Sequence, residues 1–163
     1  MIVEKAPVAA VLAACLLTSP MAAAAAAKDP FVGRWKLNVG KSKFEGGSAP
    51  KSSVATVTSA GDNKRRLVVH TVPASGPELT TESTAADDGK DYPMKGSPTV
   101  DTVSVLRVDE RTIERRDKKN GQVVATLRAT VSADGKTMTV VQRGALPQGQ
   151  TYTNTLLYDR QSQ

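Results

Sequence analysis

Beyond the first 27 residues, apolar and polar positions alternate with a period of two, in short runs bounded by Gly, Asp, Asn, Pro and Ser. Successive side chains of a strand point to opposite faces, so this period predicts strands with one buried face. In 31–38, Phe31, Gly33, Trp35 and Leu37 alternate against Val32, Arg34 and Lys36. Weaker runs at 53–59, 65–72 and 78–85 follow, then clearer ones at 102–108, 112–119, 122–131, 137–143 and 151–159. No stretch after Lys28 carries the stripe of an amphipathic helix.

The connections are too short for the crossovers that parallel strands require, so consecutive strands pair antiparallel. Asn120-Gly121 supplies the two positive φ angles of a type I′ hairpin. Asp134-Gly135-Lys136 and Asp109-Glu110-Arg111 make further tight reversals, and Asp62-Asn63 and Asp88-Gly89 mark turns. The segments 41–51 (KSKFEGGSAPK) and 72–77 (VPASGP) read as loops. Pro93 and Pro98 cannot donate to a ladder, which places 92–98 in a loop or on an edge. About eight to ten strands in up-and-down order predict an all-β, single antiparallel β-barrel, which leaves no edge exposed. A two-sheet sandwich is the alternative.

Parity converts the strands into a lining. Val103, Val105 and Arg107 share one face, and Val123, Ala125, Leu127, Ala129 and Val131 another. Tyr152, Asn154, Leu156 and Tyr158 share a third. With small Ala125 and Ala129 and polar tips on Tyr152, Asn154 and Tyr158, these faces suit a partly polar cavity. They suit equally a packed core whose tyrosine hydroxyls point out at the mouth. If there is a ligand site, Arg107, Tyr152 and Tyr158 are its expected lining, because a cation on an apolar face needs a carboxylate, a polar network or a bound anion. The other placement sets Arg107 at the strand end beside Asp109, reaching water.

Within residues 1–27 a weakly basic start precedes an apolar run at 6–17, then Pro20 and Ala25-Ala26-Ala27. This predicts a secretory signal peptide cleaved before Lys28, leaving a periplasmic or extracellular domain at 28–163. The run falls short of the ~20 residues of a membrane span, so no transmembrane span is expected. Leu12-Ala13-Ala14-Cys15 resembles a bacterial lipoprotein box, which gives a second reading in which the protein is anchored through acylated Cys15.

The net charge is +6, but basic residues are scattered among acidic ones and aromatics make up 4%, unlike the clustered basic, aromatic face of a nucleic-acid binder. The densest run, 111–119 (RTIERRDKK), includes Glu114 and Asp117 and reads as a solvated strand face. The one histidine, His70, shares a face with Val68 and opposes Leu67, Val69 and Thr71, as an exposed or rim residue would. No nucleophile motif accompanies it. Asp87-Asp88 and Asp109-Glu110 are adjacent turn residues, unlike glycosidase carboxylates facing one another across a cleft. Nor is there a His/Cys cluster for zinc or an Asp-x-Asp loop for calcium. The expectation is a monomeric, non-enzymatic protein without cofactor or metal.

The phrase Phe31-Val32-Gly33-Arg34-Trp35-Lys36-Leu37 resembles the first strand of the lipocalins and fatty-acid-binding proteins. The 132–139 turn and Leu156-Leu157-Tyr158-Asp159-Arg160 resemble the late hairpin and last strand of such barrels. The whole of 28–163, including DGKDYP from Asp88 and DTVS from Asp101, resembles small secreted bacterial proteins grouped as lipocalin-like. The resemblance implies that Gly33 bends the first strand across a closed end, that Trp35 plugs it, and that Arg160 packs over the indole. It also implies a small amphipathic or anionic ligand in the barrel interior. The alternative is a packed barrel serving as a cell-envelope interaction or structural module. Two departures stand out. The loop 41–51 is too rich in Gly and Pro for the two-helix lid of fatty-acid-binding proteins. Leu156 stands two before Tyr158, where those proteins place the Arg of a carboxylate-holding Arg-x-Tyr.

Overall fold

The computed structural model describes residues 28–146 and 149–162; the leader, with its cleavage position and Cys15, lies outside them. Ten antiparallel strands follow in order: β1 (Gly33–Leu37), β2 (Ser52–Ser59), β3 (Lys64–Val72), β4 (Leu79–Ala86) and β5 (Asp88–Lys95), then β6 (Thr102–Asp109), β7 (Thr112–Lys119), β8 (Gln122–Val131), β9 (Thr137–Ala145) and β10 (Thr151–Gln161). Each pairs with its neighbours in sequence, and β1 also pairs with β10, so the sheet is one closed barrel and not a sandwich. At the closure Trp35 lies opposite Arg160 on one side and Ala55 on the other.

Partners in an antiparallel ladder share a face, so register carries one inward set around the wall. Val103 faces Asp117, Asp117 faces Ala125, Ala125 faces Gly144, and Gly144 faces Tyr152. The expected parity of β8 and β10 holds with one exception. Val123 is 51% exposed, because the β7–β8 register shifts between Asp117 and Lys118 and the extra residue turns Val123 outward.

The segment 92–98 differs from the loop or edge expected of it: Tyr92 to Lys95 belong to β5. Asp88, Gly89 and Pro93 hid this strand, and they also make it irregular. On the β6 side the register shifts between Asp88 and Asp91. On the β4 side only Glu82↔Lys95 and Ser83↔Met94 pair. The next residue along is Pro93, which has no N–H to continue the ladder.

The end of the barrel near the start of β1 is filled. Phe31 and Trp35 are buried, and the Trp35 indole donates to the Phe31 carbonyl at 2.9 Å. The Arg160 guanidinium stands 4.0 Å from the centre of the Trp35 ring. It also donates to the carbonyls of Val32 (2.8 Å), Pro30 (2.5 Å) and Gly135 (2.5 Å). Gly33 is needed here twice over: its φ is +146°, and a Cβ would collide with Arg160 Nη1, which its bond to Val32 holds in place.

Candidate ligand site inside the barrel

Two adjoining spaces occupy the interior. The inner one, about 170 Å³, is floored by Phe31 and walled by apolar side chains including Ala55, Leu67, Ile113, Ala129 and Val140. The outer one, about 540 Å³, opens at the opposite end between the loops that carry Phe44, Pro73 and Val100. Val69, Arg115, Leu127, Leu156 and Tyr158 line both. The outer volume lies within the roughly 300–1,000 Å³ of small-molecule sites. Of the two possibilities left open by the strand faces, the barrel with a cavity is the one observed.

Tyr158 is buried between the two spaces. Burial pushes its phenol above the ordinary value, with the Ser53 hydroxyl and the Arg115 charge pulling the other way. Tyr152 shares its inward parity but lines neither space. Its ring packs between Gly46 of the rim loop and Gly144 of β9, where a Cβ on either glycine would overlap it. Beside it, Asn154 accepts from the backbone amides of Glu45 (2.8 Å) and Gly46 (3.0 Å), tying the rim loop to β10.

Arg107 also lines neither space, and it does not pair with Asp109. It sits at the filled end, donating to Asp87 (2.7 Å), to Asp29 (3.3 Å) and to the Glu110 carbonyl (3.0 Å). Arg65 binds the same two carboxylates. Both guanidiniums stand over Phe31, at 5.0 Å for Arg65 and 5.4 Å for Arg107. Two cations and two anions therefore clamp the floor plug. Asp87, expected as a solvated turn residue, is a largely buried bridge between two arginines, its side chain 16% exposed.

Of the charged residues of 111–119, Arg115 and Asp117 reach the cavity, where a solvated face was expected. Arg115 shares parity with Ile113 and Asp117, lying opposite Val105 and Leu127. Its Nε donates to Asp117 at 2.5 Å, and the side chains are 13% and 10% exposed. The outward residues of the same strand do behave as expected: Glu114 pairs with Arg128 at 2.5 Å in solvent. The usable signal was Ile113, whose apolar character marks the inward parity of β7. His70 is exposed, with Nδ1 3.0 Å from the Thr80 hydroxyl and Nε2 3.3 Å from Glu78. Among the described residues no three His, Cys, Asp or Glu side chains gather as metal ligands.

No protein-family model matches the chain, and no curated protein sequence matches it either. Solved structures do. Fatty-acid-binding protein 1 of Echinococcus granulosus is 14% identical with a TM-score of 0.56, covering 83% of this chain and all of its own. The fluorescent protein UnaG, wild type, is 15% identical with a TM-score of 0.52, covering 80% and 97%. An asparagine-to-alanine mutant of UnaG gives 14%, 0.54, 82% and 98%. At these identities the likeness is one of fold: the chain is a closed antiparallel β-barrel with the same fold as these structures.

Proposed function

We propose that this protein is a secreted, monomeric, non-enzymatic carrier that holds one small amphipathic molecule inside the barrel. The observation that carries the reading is the pair of adjoining interior spaces, an apolar inner one and a wider, more polar outer one, which share Arg115 and Tyr158 in their walls. The apolar part of the ligand occupies the inner space, where leaving water stabilises it by about 0.8 kcal/mol per buried methylene. Its polar end stays at the junction. The filled end, clamped around Phe31 and Trp35, leaves the opposite mouth as the route in and out. The solved barrels of the same architecture include one named for binding fatty acid, which supports a carrier without specifying this ligand.

Arg107 is engaged by Asp29 and Asp87 at the filled end, so the polar end of the ligand is held at the junction instead. Titration with Nile red, a neutral apolar fluorophore, tests the carrier reading, together with native mass spectrometry of the purified protein. One-to-one binding with enhanced emission, or a co-purifying adduct, is expected. Neither adduct nor probe binding would leave the barrel as a structural or interaction module.

A further inference from the structure

Every arginine that reaches the interior is matched by a carboxylate. Arg65 is held by Asp87 and Asp29 at the floor. Arg115 is held by Asp117, and among the described residues these two are the only charged ones lining the outer space. The remaining polar groups there include Ser53, Thr71, Gln142, Asn154 and Tyr158, which are neutral hydrogen-bonding groups. A ligand entering from the mouth therefore meets no net charge, only a donor and an acceptor side by side.

The pair is also incompletely used. Arg115 commits Nε to Oδ1 of Asp117. Among the described residues its two Nη atoms and Oδ2 of Asp117 have no hydrogen-bond partner, yet no buried side-chain polar atom is orphaned, so these atoms open onto the cavity. Resting on the carrier reading above, we infer that the Arg115–Asp117 pair is a head-group site for a neutral ligand that both donates and accepts hydrogen bonds, of the primary carboxamide kind.

The physical reason is cancellation. A carboxylate brought to the Nη atoms is drawn by Arg115 and repelled by Asp117 a few ångströms further on, so the cost of stripping its water is not recovered. An ammonium at Oδ2 meets the mirror-image problem. A carboxamide takes up both sides: its carbonyl accepts from Arg115 and its N–H donates to Asp117. Hydrogen bonds to ionised partners are stronger than neutral ones, and the head group sheds no charge hydration in making them.

Octanamide, octanoate and heptylammonium carry the same heptyl tail and differ only in the head. Calorimetric titration of the full mature protein at pH 7.5 is expected to rank octanamide about tenfold or more tighter than either ion. Asp117→Asn removes the repulsion while keeping the shape, and should raise octanoate affinity about tenfold while weakening octanamide severalfold, since its N–H then meets a neutral acceptor. Octanoate binding the wild type as tightly as octanamide, or all three binding alike, would overturn the head-group assignment and leave the carrier reading standing. Failure of all three to bind overturns the head-group assignment, and Nile red titration of the same sample then decides whether the carrier reading stands. The wild-type ranking decides the matter even if Asp117→Asn does not fold, which circular dichroism reports.

Discussion

Replacing Arg160 with Met removes the guanidinium from the closure while keeping much of the side-chain volume. Three charge-assisted hydrogen bonds are lost, to Val32, Pro30 and Gly135, each worth about 1.5–3 kcal/mol in a buried setting. The cation over Trp35 adds roughly 0.5–2 kcal/mol. Simple addition overshoots, because the carbonyls lie at the end of the barrel and water reaches some of them once the arginine is gone. About 3–5 kcal/mol is the expected loss for Arg160→Met. At this chain length that lowers Tm by roughly 10–20 °C. Arg160→Lys restores the cation but not the three-way reach, and should recover about 1–2 kcal/mol. Trp35 is the sole tryptophan, so urea unfolding followed by its emission reads the closure directly. The m-value should stay constant, since the surface exposed on unfolding is unchanged. A loss below about 1 kcal/mol for Arg160→Met would refute the account, because the closure would then be held by strand pairing alone.

Burial favours the neutral phenol of Tyr158 in the folded state. Its contribution to stability is therefore complete below the unfolded value near 10 and is lost as pH rises through the higher folded value. In Tyr158→Phe, stability should fall less between pH 9 and 11 than in the wild type, as measured by urea midpoints. Asp87→Asn leaves Arg65 and Arg107 beside Phe31 with one carboxylate fewer, and should cost about 2–3 kcal/mol. A urea midpoint equal to the wild type would show that the floor clamp contributes nothing. Gly46→Val drives a side chain into the Tyr152 ring, which Gly144 backs. The rim loop must move, at a cost of about 1–3 kcal/mol, and faster hydrogen exchange at the amides of Glu45 and Gly46 should report their release from Asn154.

The barrel was legible because nine of its strands obey a period of two and their turns carry specific chemistry; Asn120 and Gly121, for instance, do adopt positive φ, 49° and 77°. β5 was not, because Asp88, Gly89 and Pro93 are the residues a strand avoids, and the wall tolerates them only where its pairing is already broken. Parity placed Tyr158 inward but could not separate it from Tyr152, since what sets them apart is the approach of Gly46, a loop residue far away in sequence. Arg107 misled for a related reason: its carboxylate partners come from the β4–β5 turn and from the segment before β1, and no local pattern announces either. The interior pair on β7 was hidden by composition. In RTIERRDKK the outward charges mask the inward ones, and only Ile113 shows which parity is buried.

The joining of β1 to β10 also sets the order in which this chain can fold. Every other neighbouring pair of strands is adjacent in sequence and can form as a local hairpin. The contact between Arg160 and Val32 spans 128 positions, and bringing such distant segments together costs roughly 4 kcal/mol of chain entropy. A meander lacking that last step exposes two bare edges, those of β1 and β10, which are the surfaces that recruit other chains. Closure is thus the strand pairing with the largest entropic cost, and the Arg160 cluster is the latch that holds it once made. Until β10 arrives, the inner space lacks one side and Trp35 has no lid, so the enclosed interior and the loss of both bare edges come from the same final pairing.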